Sequence, residues 1–126
     1  GSDGNVGNVI RAEDKANFAA LIQEFRSQLN AYGSSVGRQY LLTAFLPAAS
    51  AKVDAGIAGS IFNNLDFATV QGYDFYGSWE PQTNHQSQLF SPAANPNPNK
   101  FSVDSAVNKL ISIGAPANKI VVGVPA

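Results

Sequence analysis

The chain has 126 residues, a formal net charge of −1 and 44% hydrophobic residues. That length suits one ordinary domain and falls short of the roughly 250 residues of a complete eight-fold α/β barrel. The apolar fraction supports a packed core, the near-neutral charge offers nothing to nucleic acid or an anionic membrane, and no run approaches the ~18 apolar residues of a membrane span.

Residues 1–12 are rich in Gly and Asn and read as a loop. Glu13-Asp14 opens an amphipathic helix that runs to about Asn30, with Phe18, Leu21, Ile22, Phe25 and Leu29 at spacings of three and four. Acidic residues near its start and Arg26 near its end suit the helix dipole, and Gly33 and Gly37 end it. Residues 40–46 form a continuous apolar run closed by Pro47, the pattern of a parallel strand buried on both faces. Residues 48–64 are small, with Gly56 and Gly59, and hold one or two short helices. Residues 65–71 form the second strand.

Residues 72–100 make a long loop rich in Pro, Asn, Ser and Gln, stiffened by Pro92, Pro96 and Pro98. Long loops of this kind in compact domains are functional or disordered, and Tyr73, Phe75, Tyr76, Trp79 and Phe90 favour function. Ser102 caps the next helix with Ser105 three residues on, its stripe being Val103, Val107, Leu110 and Ile111, and Gly114 ends it. Residues 119–124 are the third strand. Strands alternating with helices predict an α/β fold of βα units with parallel strands.

The chemistry gathers where the second strand ends, in Gln71-Gly72-Tyr73-Asp74, with Trp79 five residues after the Asp. The carboxyl ends of parallel strands are where α/β barrels keep their active sites. A flat aromatic beside a carboxylate and an amide suits a sugar, whose C–H face stacks on the ring while its hydroxyls take the polar groups. The plainer readings are a core tyrosine for Tyr73, a turn residue for Asp74 and a loop anchor for Trp79. His85 is the one histidine and there is no Cys, so no metal site is expected, no cofactor is implied, and His85 reads as a structural loop residue.

At three motifs in order the chain resembles glycoside hydrolase family 18, specifically the bacterial secreted chitinases. Residues 40–48 (YLLTAFLPA) resemble the fifth barrel strand of that family. Gln71-Gly72-Tyr73-Asp74 with Gly77 and Trp79-Glu80 resembles the sixth, Gln71 standing in a slot usually held by Met. Residues 115–125 (APANKIVVGVP) resemble the seventh, and Thr83-Asn84-His85-Gln86 also matches. The implied fold is a partial (β/α)₈ TIM barrel, roughly strands five to seven with their helices, so that residues 1–126 are an internal fragment of the catalytic domain.

The implied activity is endo-type hydrolysis of β-1,4-linked N-acetylglucosamine in chitin. Such enzymes use the substrate's own N-acetyl oxygen as nucleophile, an exception to the two-carboxylate scheme. By resemblance Tyr73 holds the acetamido oxygen and Asp74 takes a sugar hydroxyl and biases the local field, both as catalytic residues. Trp79, Glu80, Gln71, Ala44 and Phe45 bind substrate, Ala44 leaving room for the acetamido methyl. The family's Asp-x-x-Asp-x-Asp-x-Glu run, whose Glu is the general acid, is absent from residues 1–126. The segment alone is therefore expected to be inactive. The implied partner is chitin or a chitooligosaccharide, with no nucleic acid and no membrane. The intact parent is expected to be a secreted, extracellular bacterial monomer. A non-catalytic, lectin-like chitin binder of the same superfamily is the alternative.

Overall fold

The computed structural model describes residues 3–97 and 101–126, so Pro98 of the proline-rich stretch and the first two residues of the opening loop lie outside the described residues. The elements are α1 (Asp14–Val36), β1 (Thr43–Leu46), α2 (Ser50–Gly56), a 3₁₀ turn (Gly59–Asn63), β2 (Phe67–Gln71), α3 (Val103–Ser112), a second 3₁₀ turn (Ala117–Lys119) and β3 (Ile120–Gly123). The three strands form one parallel sheet in the order β1-β2-β3, with Thr43 opposite Phe67 and Ala68 opposite Ile120. The α/β expectation and the short helices of residues 48–64 are therefore present.

Alternation along each strand sorts the side chains between two faces. Ala44, Leu46, Ala68 and Val70 turn towards α1, α2 and α3, where they join Ile22, Val53, Ile61, Ala106 and Leu110 in one core. Thr43, Phe45, Thr69, Gln71 and Val121 turn the other way. There Phe45 is 58% exposed, whereas Leu46 beside it in the chain is fully buried. The expected burial of the strand on both faces does not hold. Parallel strands are buried twice only when layers lie on both sides, and among the described residues the helices supply one layer.

Two differences along α1 share one cause. The helix continues past Asn30 to Val36, because Gly33 is buried inside it and the left-handed Gly37 ends it. Arg26 is thus mid-helix rather than near the end. From there its guanidinium reaches the entry of the sheet, donating from Nε to the Asn64 carbonyl (2.9 Å), from Nη1 to the Tyr40 carbonyl (3.1 Å) and from Nη2 to Asp66 Oδ2 (2.5 Å). Of the expected stripe, Ile22 is buried while Leu21 and Phe25 are half exposed, since the sheet meets only one side of the helix.

Asp66 closes the entry of the sheet. Its carboxylate accepts the Leu42 N–H (2.7 Å) as well as Arg26, and its own N–H donates to the Leu42 carbonyl (2.9 Å). The Leu42 N–H, with Arg26 assisting and burial opposing, holds the Asp66 carboxyl below the ordinary carboxylate range. The unfolded chain therefore takes up this proton first as pH falls. The stabilisation is complete above roughly pH 4, where the unfolded Asp is ionised, and is lost as pH drops through the lower folded value. Asp66→Asn should cost about 1–3 kcal/mol near pH 7. The gap to the unmutated chain should narrow in acid, as urea melts at neutral pH and near pH 3 will measure; a gap that widens in acid contradicts this assignment.

Candidate functional site

The site is built where the strands end. Gln71, the last residue of β2, lies opposite Gly123, the last of β3. Gly72 follows, buried so close to β3 that a Cβ on it would fall 2.2 Å from the Gly123 carbonyl oxygen, a place only glycine can take. This close passage lays the Tyr73 ring against Gly123. Asp74 then adopts a left-handed backbone (φ 57°), the one positive φ among the described non-glycine residues. Asp tolerates that region better than most side chains, but it is held there at a cost.

The next two residues turn inward. Phe75 and Tyr76 are buried against Phe101, with ring centroids 6.3 and 6.2 Å away. The Tyr76 hydroxyl accepts from Asn95 Nδ2 (3.1 Å), and Asn95 Oδ1 accepts from Asn84 Nδ2 (2.9 Å). Farther along the loop, Ser87 Oγ donates to the Gly72 carbonyl and Gln86 accepts the Phe75 N–H (3.0 Å). The carbonyls of Gln88 and Leu89 accept from Val103 and Asp104 at the start of α3, which Ser102 and Ser105 close with a reciprocal capping box. The loop therefore has no helix or strand among its described residues, yet its residues 86–89 tie Gly72 and Phe75 to the start of α3.

One cleft of ≈ 250 Å³ opens over this platform, lined by Gln71, Tyr73, Asp74, Phe75 and Trp79 from β2 and its loop, Pro47, Ala48, Ala49 and Lys52 after β1, and Phe101. Ligand pockets commonly span about 300–1,000 Å³, and this cleft is smaller. Trp79 is 63% exposed. Its indole lies over Gly77, where a Cβ would fall 2.4 Å from two ring carbons.

Two tyrosines three residues apart have different surroundings. Tyr76 is buried with its hydroxyl bonded to Asn95. Tyr73 is half-buried at the cleft, and its hydroxyl bonds to no described residue. The Gln71 side chain likewise has no partner among the described residues, and Asp74 uses Oδ1 for Gln86 Nε2 (3.0 Å) while Oδ2 has none. All three residues line the cleft, Asp74 exposed and Gln71 and Tyr73 half-buried.

Of the residues expected from sequence, the structure brings Gln71, Tyr73, Asp74 and Trp79 to one cleft. The other three do not line it. Ala44 packs on the helix side of the sheet, Phe45 is exposed on the opposite face beside Thr69, and Glu80 lines a separate hollow with Tyr76, Asn84 and Pro96. The loop aromatics also divide, Phe75 and Tyr76 being core and Phe90 exposed outside the cleft. Lys52 was missed. It stands on the first turn of α2, which starts four residues after β1 ends, and a helix start at that place in a βα unit was the available signal; its Nζ pairs with Asp3 (2.8 Å). His85 lies in an exposed stretch outside the cleft, and among the described residues no cluster of three His, Cys, Asp or Glu side chains forms a metal site.

The family model of the glycosyl hydrolases family 18 matches residues 2–126. The chain belongs to this family. Endochitinase 1 of Metarhizium robertsii is 36% identical over 112 residues, covering 87% of this chain and 26% of the relative. A chitinase from Bacillus thuringiensis superposes with a TM-score of 0.90 at 39% identity, covering 95% of this chain and 19% of that one. A variant of the class V chitinase from Nicotiana tobaccum in complex with NAG4 superposes with a TM-score of 0.80 at 34% identity, covering 94% of this chain and 34% of that one. This family 18 chain thus spans about a quarter of the length of its curated relative.

The Gly77 contact makes a test that leaves the polar groups alone. Gly77→Ala should push the Trp79 indole aside, and if that ring forms part of a sugar site the Kd for a chitooligosaccharide should rise roughly tenfold by titration. Unchanged affinity would mean that the ring takes no part in binding.

Proposed function

We propose that this chain carries the acetamido-handling wall of a chitinase that cleaves β-1,4-linked N-acetylglucosamine polymers with retention, acting within the polymer chain. The observation that supports it most is the set of polar groups bonded to no described residue, the Tyr73 hydroxyl, the Gln71 amide and Asp74 Oδ2, beside the exposed Trp79 at the carboxyl ends of parallel strands. On this reading β1, β2 and β3 are strands five to seven of a (β/α)₈ barrel, and residues 1–126 are one part of its catalytic domain. The parent is a secreted bacterial monomer acting on chitin or its oligosaccharides.

In the proposed mechanism the substrate's acetamido oxygen attacks the anomeric carbon while a carboxylic acid protonates the leaving oxygen. The Tyr73 hydroxyl donates to the acetamido oxygen. The Asp74 carboxylate favours the positive charge of the oxazolinium. Trp79 stacks on a sugar of the leaving-group side in both ground and transition states. Among the described residues Asp74 is the only carboxylate lining the cleft, and it is assigned to the acetamido group, so on this reading the general acid comes from elsewhere in the barrel. That same observation favours the second reading, a lectin-like binder that keeps the wall without an acid.

Residues 1–126 alone should turn over a chromogenic chitobioside slower than an intact family member by more than the roughly 10²–10⁴-fold that general acid catalysis supplies. Turnover near the intact rate would overturn the assignment of the acid to another part of the barrel. In the intact protein Tyr73→Phe should lower kcat by about 10²-fold with little change in KM, since it frees the attacking acetamido oxygen from the hydrogen bond that aims it at the anomeric carbon. Trp79→Ala should weaken binding of long oligosaccharides more than it slows the chemical step. Single-turnover kinetics of both variants separate the roles. An intact protein that binds oligosaccharides without any turnover is the lectin-like reading instead.

A further inference from the structure

Asp74 is held in an uncommon geometry, and Gln86 supplies what holds it. The backbone at Asp74 is left-handed, and its side chain is exposed, so nothing in its own packing fixes the carboxylate. Gln86, twelve residues on, holds Asp74 by one direct bond and its neighbour Phe75 by another. The Gln86 carbonyl accepts the N–H of Phe75, and the Gln86 side-chain Nε2 donates to Asp74 Oδ1, each at 3.0 Å. The adjacent Ser87 Oγ donates to the carbonyl of Gly72, on the other side of Tyr73 and Asp74. Two consecutive loop residues thus bracket the Tyr73-Asp74 pair by three hydrogen bonds.

Gln86 does not line the Trp79 cleft. It lines a hollow of its own with His85, Ser87, Gln88, Phe90 and Pro92. Asp74 lines the cleft and Gln86 lies behind it, so Gln86 reaches a bound sugar only through Asp74. An amide has a further property that suits the place. It donates to Oδ1 without carrying charge, which fixes one oxygen and leaves Oδ2 bonded to no described residue.

We propose that Gln86 is a positioning residue for catalysis, fixing the Asp74 carboxylate so that Oδ2 addresses the substrate. This rests on the reading of Asp74 as a group that acts on the substrate. The main-chain grip on Phe75 survives any substitution at 86, so side-chain variants isolate the bond to Asp74 from the fastening of the loop.

The test is steady-state kinetics of the intact protein on a chitooligosaccharide. Gln86→Ala should lower kcat by roughly tenfold with KM within about threefold, the size expected of a hydrogen bond to a charged group. Gln86→Glu keeps the shape but sets a carboxylate against Asp74, and at neutral pH it should lower kcat at least as much as Gln86→Ala. A merely structural role predicts the reverse, with the isosteric Glu close to the unmutated protein. In a double-mutant cycle, Gln86→Ala added to Asp74→Ala should cost less than about twofold further, because its effect passes through the missing carboxylate. If Asp74→Ala lowers kcat while Gln86→Ala leaves it unchanged, or if the two losses add in full, the positioning role is overturned and the reading of Asp74 stands. If Asp74→Ala leaves kcat unchanged, the reading of Asp74 falls and the positioning role falls with it.

Discussion

The parallel register of β2 against both neighbours is the constraint on which the rest depends. Leu46 beside Val70 and Gln71 beside Gly123 bring the three strands to their carboxyl ends at nearly the same level. From that common edge the chain can leave only into loops and helix starts, so Pro47, Ala48 and Lys52 from one exit meet Tyr73, Asp74 and Trp79 from the next. A slip of one residue would turn Gln71 to the helix side and every core side chain of β2 to the other face. The register is protected at both ends of the sheet, by Arg26 and Asp66 where the strands begin and by the close passage of Gly72 over Gly123 where they end.

The two ends of the sheet use polar groups in opposite ways. At the entry, Arg26, Asp66 and Lys119 saturate backbone carbonyls and amides, Lys119 Nζ reaching the carbonyls of Phe62 and Leu65 at 2.7 Å each. Those bonds hold elements together and leave nothing over for a ligand. At the exit, Gln71 and Tyr73 are half-buried and find no partner among the described residues. Their polar atoms stay open to solvent or a ligand, beside a loop that residues 86–89 fasten to the start of α3. The division matches the general one between the stability face and the active face of α/β barrels.

The long loop shows how irregular backbone can be fastened without helix or strand among its described residues. Phe75 and Tyr76 anchor it by burial, Asn95 satisfies several of its polar groups, and Gln86 to Leu89 run from β2 to the capped start of α3. Each anchor alternates with an outward group: Asp74 before Phe75, Trp79 after Tyr76. The anchors set the direction of their neighbours.

Much of this was legible in the sequence. Period and punctuation located all three helices and all three strands, because apolar spacing and Gly, Pro and Ser boundaries are local properties of the chain. The cluster of Gln71, Tyr73, Asp74 and Trp79 was legible too, because short spacing after a strand end keeps residues together whatever the rest does. What the sequence left open was long-range. It could not separate Tyr73 from Tyr76, since only packing against Phe101 and Asn95 makes one structural and leaves the other open. It set Arg26 near a helix end, whereas the helix runs on to Val36 and turns Arg26 onto Asp66, forty residues away. It grouped Ala44 and Phe45 with the site, although they sit on opposite faces of β1, and it gave no sign of Lys52 or of the bond from Gln86 to Asp74. Such partners are chosen by register and loop closure, which depend on contacts between distant residues, and only the tertiary structure decides them.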